Sequence, residues 1–408
     1  MEQRKPDISI SRNISRLRRK MGLTQTELAN MLYVSNKTVS KWERGAGYPE
    51  TPQLVRLADL FGVSLDTLIR GEKCGIAIAG NILTDEVKVI DSFPEKGMLV
   101  GITAMSRAVG GSVPNTLISL ARIDPTLPLS ALGRRGDDEG GRYVQSELQR
   151  HGIDTAGVLV DPKDATGFSD VMTLRDMGER TFFHHRGANA HFVPEDIQLS
   201  SLNCRMLHVA YIHLLDGFDA PDPEYGTVLA RFLKSAREEG ILTSVDVVSS
   251  LNDKFAERII AAMPYTDNAI MNEIEACGVS GLPPRDGEGR LLTDNIRTTM
   301  EQLMAYGVGQ RVIIHCPEAG FCLSKDGTFT VVPSLRLPAG YVKGTVGAGD
   351  SFCAGCLYGI YNGYSDYDIL EFASGAAACN LSAEDSVSGM RDAAYVRELI
   401  AACGKVEL

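Results

Sequence analysis

The stretch GTVGAGDSFCAG, residues 344–355, decides how most of this 408-residue chain is read. Gly347, Ala348 and Gly349 carry little or no side chain, so their backbone N–H groups can close on an anion. The run 351–360 reads as a helix, and a helix N-terminus adds positive partial charge at the same point. Asp350 is expected in the loop between them, where its carboxylate can accept the proton of an attacking hydroxyl. A base for the nucleophile, set beside donors for a transferring group, is what phosphoryl transfer requires. Taken alone, the segment reads equally as a turn closed by an N-capping Asp. What surrounds it settles the matter.

Residues 75–83 read as a buried strand, and strands then alternate with helices. Buried strands are expected over 205–215, 242–248, 268–271 and 311–316, with helices over 225–239 and 298–306 between them. Such alternation builds a mostly parallel sheet covered by helices, which takes ligands at the carboxyl ends of its strands. Short motifs fall in order along it: GNILTD at 80–85, GGSVPN at 110–115, GRRGDDEG at 133–140, TGFSDVMTLRDMGERTFFHHRGAN at 166–189 and NEIE at 272–275.

Together with 344–355, these segments resemble the PfkB/ribokinase family of carbohydrate kinases, in the family's order. The resemblance implies an α/β ribokinase-like domain, a mostly parallel sheet flanked by helices, with a small β lid at about 85–110 and 165–190. It implies ATP-dependent phosphorylation of a sugar or sugar-like hydroxyl substrate, with Asp350 as catalytic base and Gly347, Ala348 and Gly349 as anion hole. Asp85, Gly110, Gly111 and Asn115 then lie on the sugar side. Asn272 and Glu275 organise Mg²⁺, phosphate and waters, Glu275 reaching the metal only indirectly. On the nucleotide side the resemblance places His315, Gly320, Thr345 and Ser374; helix packing is the competing reading of Ser374.

Two positions depart from the family's pattern. Gly344 stands where an Asp usually opens the signature and helps hold a monovalent cation, so that cation does not carry over. Pro317, within HCPEAG at 315–320, replaces a glycine and removes an N–H donor near the phosphates. His315 beside it reads either as a donor in place of a Thr hydroxyl or as a packed core histidine. These departures favour the alternative of a kinase-fold sugar sensor without turnover. His184 and His185 point to opposite faces of a strand and are not expected to chelate one ion.

The first 73 residues carry 13 Lys/Arg against 8 Asp/Glu, a net of +5, within a chain of net charge −11. A basic head on an acidic body suggests that only the head meets a polyanion. Ile14, Leu17 and Met21 recur at helical spacing, Thr24 and Glu27 form a capping box, and Ser35 caps a third helix. Helices over 51–61 and 64–70 complete a small all-α unit. The stretch TQTELANMLYVSNKTVSKWERG resembles the helix-turn-helix of XRE/Cro-like repressors. That resemblance implies binding to double-stranded DNA, with Gln25 on phosphate and the third helix, bearing Ser35, Asn36, Lys37, Thr38 and Lys41, in the major groove. Arg16, Arg18, Arg19, Lys20 and Arg44 are expected to add phosphate contacts. The domains are accordingly 1–72 and 73–408, a DNA reader fused to a kinase and together a transcriptional regulator.

No apolar run approaches the ~20 residues that span a bilayer, and the first ten residues lack the apolar core of a secretory signal. Nine scattered cysteines fit a reduced cytoplasm, and no redox or metal role is expected of the Cys353/Cys356 pair. Paired DNA half-sites suggest a homodimer. Which sugar is the substrate is not written in the sequence.

Overall fold

A computed structural model describes residues 10–71, 73–175, 180–248 and 255–408. Residues 1–9, Glu72 of the junction and the 176–179 part of the lid motif lie outside the described residues. The chain divides into two compact units, Met1–Cys74 and Gly75–Leu408.

The smaller unit has helices α1 (Ile10–Lys20), α2 (Gln25–Leu32), α3 (Asn36–Glu43), α4 (Thr51–Phe61) and α5 (Leu65–Arg70). Thr24 and Glu27 cap α2 reciprocally, and the Ser35 hydroxyl accepts the Thr38 N–H at the start of α3. One core joins Ile14, Leu17, Leu28, Leu32, Val39, Trp42, Leu57 and Leu68. Met21 departs from expectation: α1 ends at Lys20, and Met21 is exposed. Arg18 takes the next inward place instead, four residues after Ile14. It is buried and grips Glu43 with two nitrogens, Nε at 2.6 Å and Nη2 at 3.0 Å. A phosphate-contacting role for Arg18 is thereby excluded.

The larger unit begins with β1 (Ile76–Ala79), β2 (Leu83–Ile90), β3 (Ile102–Gly110), α6 (Ser112–Ile123), β4 (Leu129–Gly136), α7 (Glu139–Arg150), β5 (Asp154–Asp161), β6 (Gly167–Leu174) and β7 (Arg180–His185). Next come β8 (Met206–Ile212), the short pair β9 (Pro221–Asp222) and β10 (Gly226–Thr227), α8 (Val228–Glu238), β11 (Leu242–Val247), α9 (Phe255–Ala262), β12 (Asn268–Asn272) and α10 (Glu273–Ser280). Last are α11 (Thr293–Ala305), β13 (Arg311–His315), β14 (Ala319–Ser324), β15 (Phe329–Pro333), α12 (Ala348–Tyr361), α13 (Asp366–Asn380) and α14 (Ala393–Ala402).

The main sheet runs β15-β14-β13-β12-β11-β8-β1-β4-β5 and is parallel except for β14 and β15. Its strands are apolar on both faces, as a covered parallel sheet requires. Ile76 and Ile78 join the core under α6, α12 and α13, whereas Ala77 and Ala79 join the core under α8 and α11.

A second sheet, β3-β2-β6-β7, forms the lid. The single strand expected over 75–83 is two strands in two sheets. β1 ends at Ala79, and Gly80 after it, at φ +157°, would place a Cβ 2.8 Å from the Ala210 carbonyl oxygen, so the chain leaves the sheet through a position that favours glycine. Leu83 onward therefore belongs to the lid, and Asp85 with it. Helix α12 also begins earlier than expected. Gly347, at φ +74°, is its N-cap, so Asp350 lies in the first turn of the helix rather than in a loop.

Candidate active site

Asp350 is buried, and both its carboxylate oxygens are held. Asn115 Nδ2, from the first turn of α6, donates to Oδ2 at 2.9 Å. Tyr211 Oη, from the end of β8, donates to Oδ1 at 2.9 Å. Asn115 is fixed in turn by Ser386, whose hydroxyl donates to Asn115 Oδ1 at 2.8 Å. Tyr211 has φ +65°, a strained conformation for a bulky residue. Its N–H donates to Asp246 Oδ1 at 2.6 Å, and Asp246 sits where the β11–β8 register breaks. A bulge there re-aims its side chain.

Burial pushes Asp350 up from the ordinary 3.8 to about 7, the hydrogen bonds from Asn115 and Tyr211 opposing and the charges of Asp246 and Asp85 adding to the rise. A carboxyl poised there can take up a proton near neutrality.

A cavity of about 210 Å³ opens over Asp350. Its walls include Gly347, Gly349, Tyr211, Asp246, Asn272, Glu275 and His315. The Gly347 N-cap offers no side-chain hydrogen bond. The Ala348 N–H donates to the Thr345 carbonyl oxygen at 3.3 Å, so it is the next N–H groups of α12, beginning at Gly349, that are left for an anion. A Cβ on Gly347 would stand 2.4 Å from the Ser386 carbonyl oxygen, so the cradle exists only because this residue is glycine.

Asn272 and Glu275 cap α10 reciprocally: Asn272 Oδ1 accepts the Glu275 N–H at 2.8 Å, and Glu275 Oε2 accepts the Asn272 N–H at 3.0 Å. The motif thus builds its own helix start while presenting both residues to the cavity. His315 packs tilted against Phe352, 4.7 Å between ring centroids, and burial lowers its imidazole to about 4, which keeps it neutral.

On the lid, Asp85, Ser169 and His184 lie in register on one face. Burial raises Asp85 to about 7, Arg180 opposing and Glu86 adding. Gly110 makes room for it, since a Cβ there would meet the Asp85 carboxylate at 2.6 Å. Gly111, at φ +85°, starts α6.

The structure brings Asp350, Gly347, Gly349, Asn115, Asn272, Glu275 and His315 around one cleft. It does not place Gly320, Thr345 or Ser374 on the cavity wall, and Ala348 lies beside it. Gly320 instead faces Phe352 and Leu370, Thr345 is exposed, and the Ser374 hydroxyl is buried without a hydrogen-bond partner. Gly344 cannot be Asp without a shift, because a Cβ would stand 2.9 Å from the carbonyl oxygens of Ala383 and Glu384.

In the smaller unit, Asn36, Lys37, Ser40, Lys41 and Arg44 line one surface concavity. Gln25 Nε2 donates to Glu43 Oε2 at 2.7 Å, and Asn36 Nδ2 donates to Thr26 Oγ1 at 2.7 Å. Ser35 and Thr38 are occupied with each other at the start of α3. Lys37 and Lys41 are exposed. No helix among the described residues is long and apolar enough to cross a membrane.

Tyr211 and Asp246 were not foreseen. Both sit in apolar strand sequence, HVAYIHLL and LTSVDVV, and the usable signal was a polar residue at the carboxyl end of a buried strand.

The family model described as pfkB family carbohydrate kinase matches residues 76–393, and a helix-turn-helix model matches residues 14–68. The chain is 25% identical over 309 residues to 5-dehydro-2-deoxygluconokinase of Listeria innocua, covering 72% of this chain and 87% of that protein. Among solved structures, Arabidopsis thaliana ribokinase complexed with ribose and ATP superposes with a TM-score of 0.66 at 20% identity, over 80% of this chain and 98% of that one. Methanocaldococcus jannaschii nucleoside kinase gives a TM-score of 0.63 at 20% identity, over 81% of this chain and all of that one. At these identities the superpositions speak for the fold.

Proposed function

The chain belongs to the pfkB family of carbohydrate kinases, and from that premise we propose that it phosphorylates a sugar hydroxyl from ATP and couples this to DNA binding through its helix-turn-helix unit. One observation carries the catalytic half: Asp350, poised near neutrality, sits in the first turn of a helix whose start, at Gly347 and Gly349, lines the same cavity.

The residues fit a nucleotide phosphate, because Gly347, which packs so closely on Ser386 that only glycine fits, and Gly349 set a helix start against the cavity. ATP·Mg²⁺, when bound, supplies the phosphoryl group. Asp350 takes the proton of the sugar hydroxyl, and the N–H groups at the start of α12 receive charge on the transferring group. Asn115 and Tyr211 hold the base in place. Asp85 orients sugar hydroxyls from the lid, which also keeps water out. Asn272 and Glu275 stand on the opposite wall, suited to metal-bound water and phosphate. Sugar acids such as the substrate named for the Listeria innocua relative are the first compounds to try.

The helix-turn-helix unit reads duplex DNA with Lys37, Lys41 and Asn36. A DNA partner sets the chain in the cytoplasm, where sugar, product or nucleotide shifts DNA affinity if each binds the DNA-competent state differently. Exposed Ile102, Met105, Phe182 and Phe183 on the lid strands support a homodimer.

A thermal-shift panel of sugars and sugar acids with an ATP analogue, followed by ADP release for each hit, tests the enzyme reading. A sugar that raises stability yet yields no ADP supports the second reading, a sensor without turnover. The absent acid at Gly344 is the observation that favours it.

A further inference from the structure

Under the cleft lie three side chains that touch neither the sugar nor the phosphate in the reaction above. His208 on β8, Asp246 in the β11 bulge and Cys353 in the second turn of α12 each offer one ligand atom, all within 4.8 Å of one another and all buried. His208 Nε2 lies 3.5 Å from Asp246 Oδ2 and 3.6 Å from Cys353 Sγ. The first spacing is long for a hydrogen bond. Both suit the edges of a metal tetrahedron: Zn–N and Zn–O bonds of about 2.0 Å and a Zn–S bond of about 2.3 Å give edges of roughly 3.3 and 3.5 Å.

Two further features point the same way. His208 Nδ1 lies 3.0 Å from Ser244 Oγ, the outer hydrogen bond that fixes a ligating imidazole with its other nitrogen toward the metal. Asp246 is pinned through Oδ1 by the Tyr211 N–H, which leaves Oδ2 for the ion. Asp246 and Cys353 line the cavity, so an entry path exists. The donor set of sulfur, imidazole and one carboxylate suits zinc rather than magnesium. Cys356, the other half of the C-x-x-C, takes no part.

We propose that His208, Asp246 and Cys353 bind a zinc ion, with a fourth position filled by water from the cleft. Binding breaks the Cys353 S–H bond: the sulfur electron pair goes to the metal and one proton per ion leaves to solvent. The ion touches the base through a short chain, Asp246 to Tyr211 to Asp350. Occupancy of this site therefore tunes turnover where the chain is an active kinase, but the site itself stands or falls independently of that activity.

The direct test is titration of the full chain, stripped of metal by a chelator, with Co²⁺ alone. The expected result is a sulfur-to-cobalt charge-transfer band with intense tetrahedral visible bands, saturating at one equivalent and erased by Zn²⁺. Cys353→Ser should lose the charge-transfer band, and His208→Gln should weaken cobalt binding at least tenfold. X-ray absorption of the zinc-loaded wild type, which needs no variant to fold, should count one sulfur and otherwise nitrogen or oxygen neighbours. Absence of a band in the wild type, a full band in Cys353→Ser, or a zinc shell with no sulfur or with two or more overturns the proposal and leaves a hydrogen-bonded Cys–His–Asp cluster.

Discussion

Tyr211→Phe removes one of the two hydrogen bonds on the base while leaving the ring to fill its space. The bond runs 2.9 Å from Oη to Asp350 Oδ1 in a buried site. A hydrogen bond to an ionised group is worth about 1.5–3 kcal/mol, which at about 1.4 kcal/mol per pH unit equals about one to two pH units. The bond favours the carboxylate, so its loss moves Asp350 upward from about 7. Only the ionised form accepts a proton. The acidic limb of the pH–rate profile should therefore move up by about one to two pH units, with turnover at pH 7 falling about 5- to 50-fold and recovering near pH 9. ADP release measured from about pH 6 to about pH 9 on a responsive sugar checks this. A uniform loss at every pH, with the limb unmoved, refutes the assignment of Tyr211 as the residue that positions and tunes the base.

Other perturbations separate scaffold from site. Folded Asp350 keeps its proton up to about 7 while the unfolded carboxyl releases it near 3.8, so this group costs stability as pH rises through that window. Asp350→Asn should thus raise unfolding free energy at pH 8 by at most on the order of 4 kcal/mol, seen as a higher melting temperature, and do nothing comparable at pH 4. Gly347→Ala forces a Cβ against the Ser386 carbonyl oxygen at a positive φ, and should cost about 2–3 kcal/mol of stability and most of the affinity for an ATP analogue in calorimetry. Arg18→Ala leaves the buried Glu43 carboxylate with the Gln25 hydrogen bond but without its guanidinium, destabilising the helical unit by about 3 kcal/mol in denaturation. Lys41→Ala should spare stability and lower the salt slope of DNA binding by about one.

The fold was legible where side chains obey one periodicity. Apolar runs such as 205–215 and 311–316 announced covered parallel strands, and Thr24 with Glu27 announced a helix start. It was illegible where a break is made by a neighbour rather than by composition. Residues 75–83 stay largely apolar across the turn at Gly80, where the close approach of the Ala210 carbonyl, from 130 residues away, cannot be seen in the local sequence. Arg18 hides in a basic run that resembles a phosphate-binding patch, although its spacing from Ile14 puts it inside. Asp350 and its glycines could be read because the anion cradle is local in sequence. Its clamp could not, because Asn115 and Tyr211 arrive from 235 and 139 residues away. NEIE is both a capping box and a pair of polar residues on the cavity wall, and the capping pattern alone does not show the second.

The account rests on a carboxyl and a set of bare backbone amides meeting at the mouth of α12. The measurement that addresses this most directly compares sugar-dependent ADP formation by the wild type and by Asp350→Asn, with ATP affinity measured in parallel. It should show turnover falling at least about a thousandfold while ATP still binds, since the base is lost and the cradle is not. An Asp350→Asn variant that phosphorylates sugar at the wild-type rate contradicts the assignment of Asp350 and the mechanism built on it.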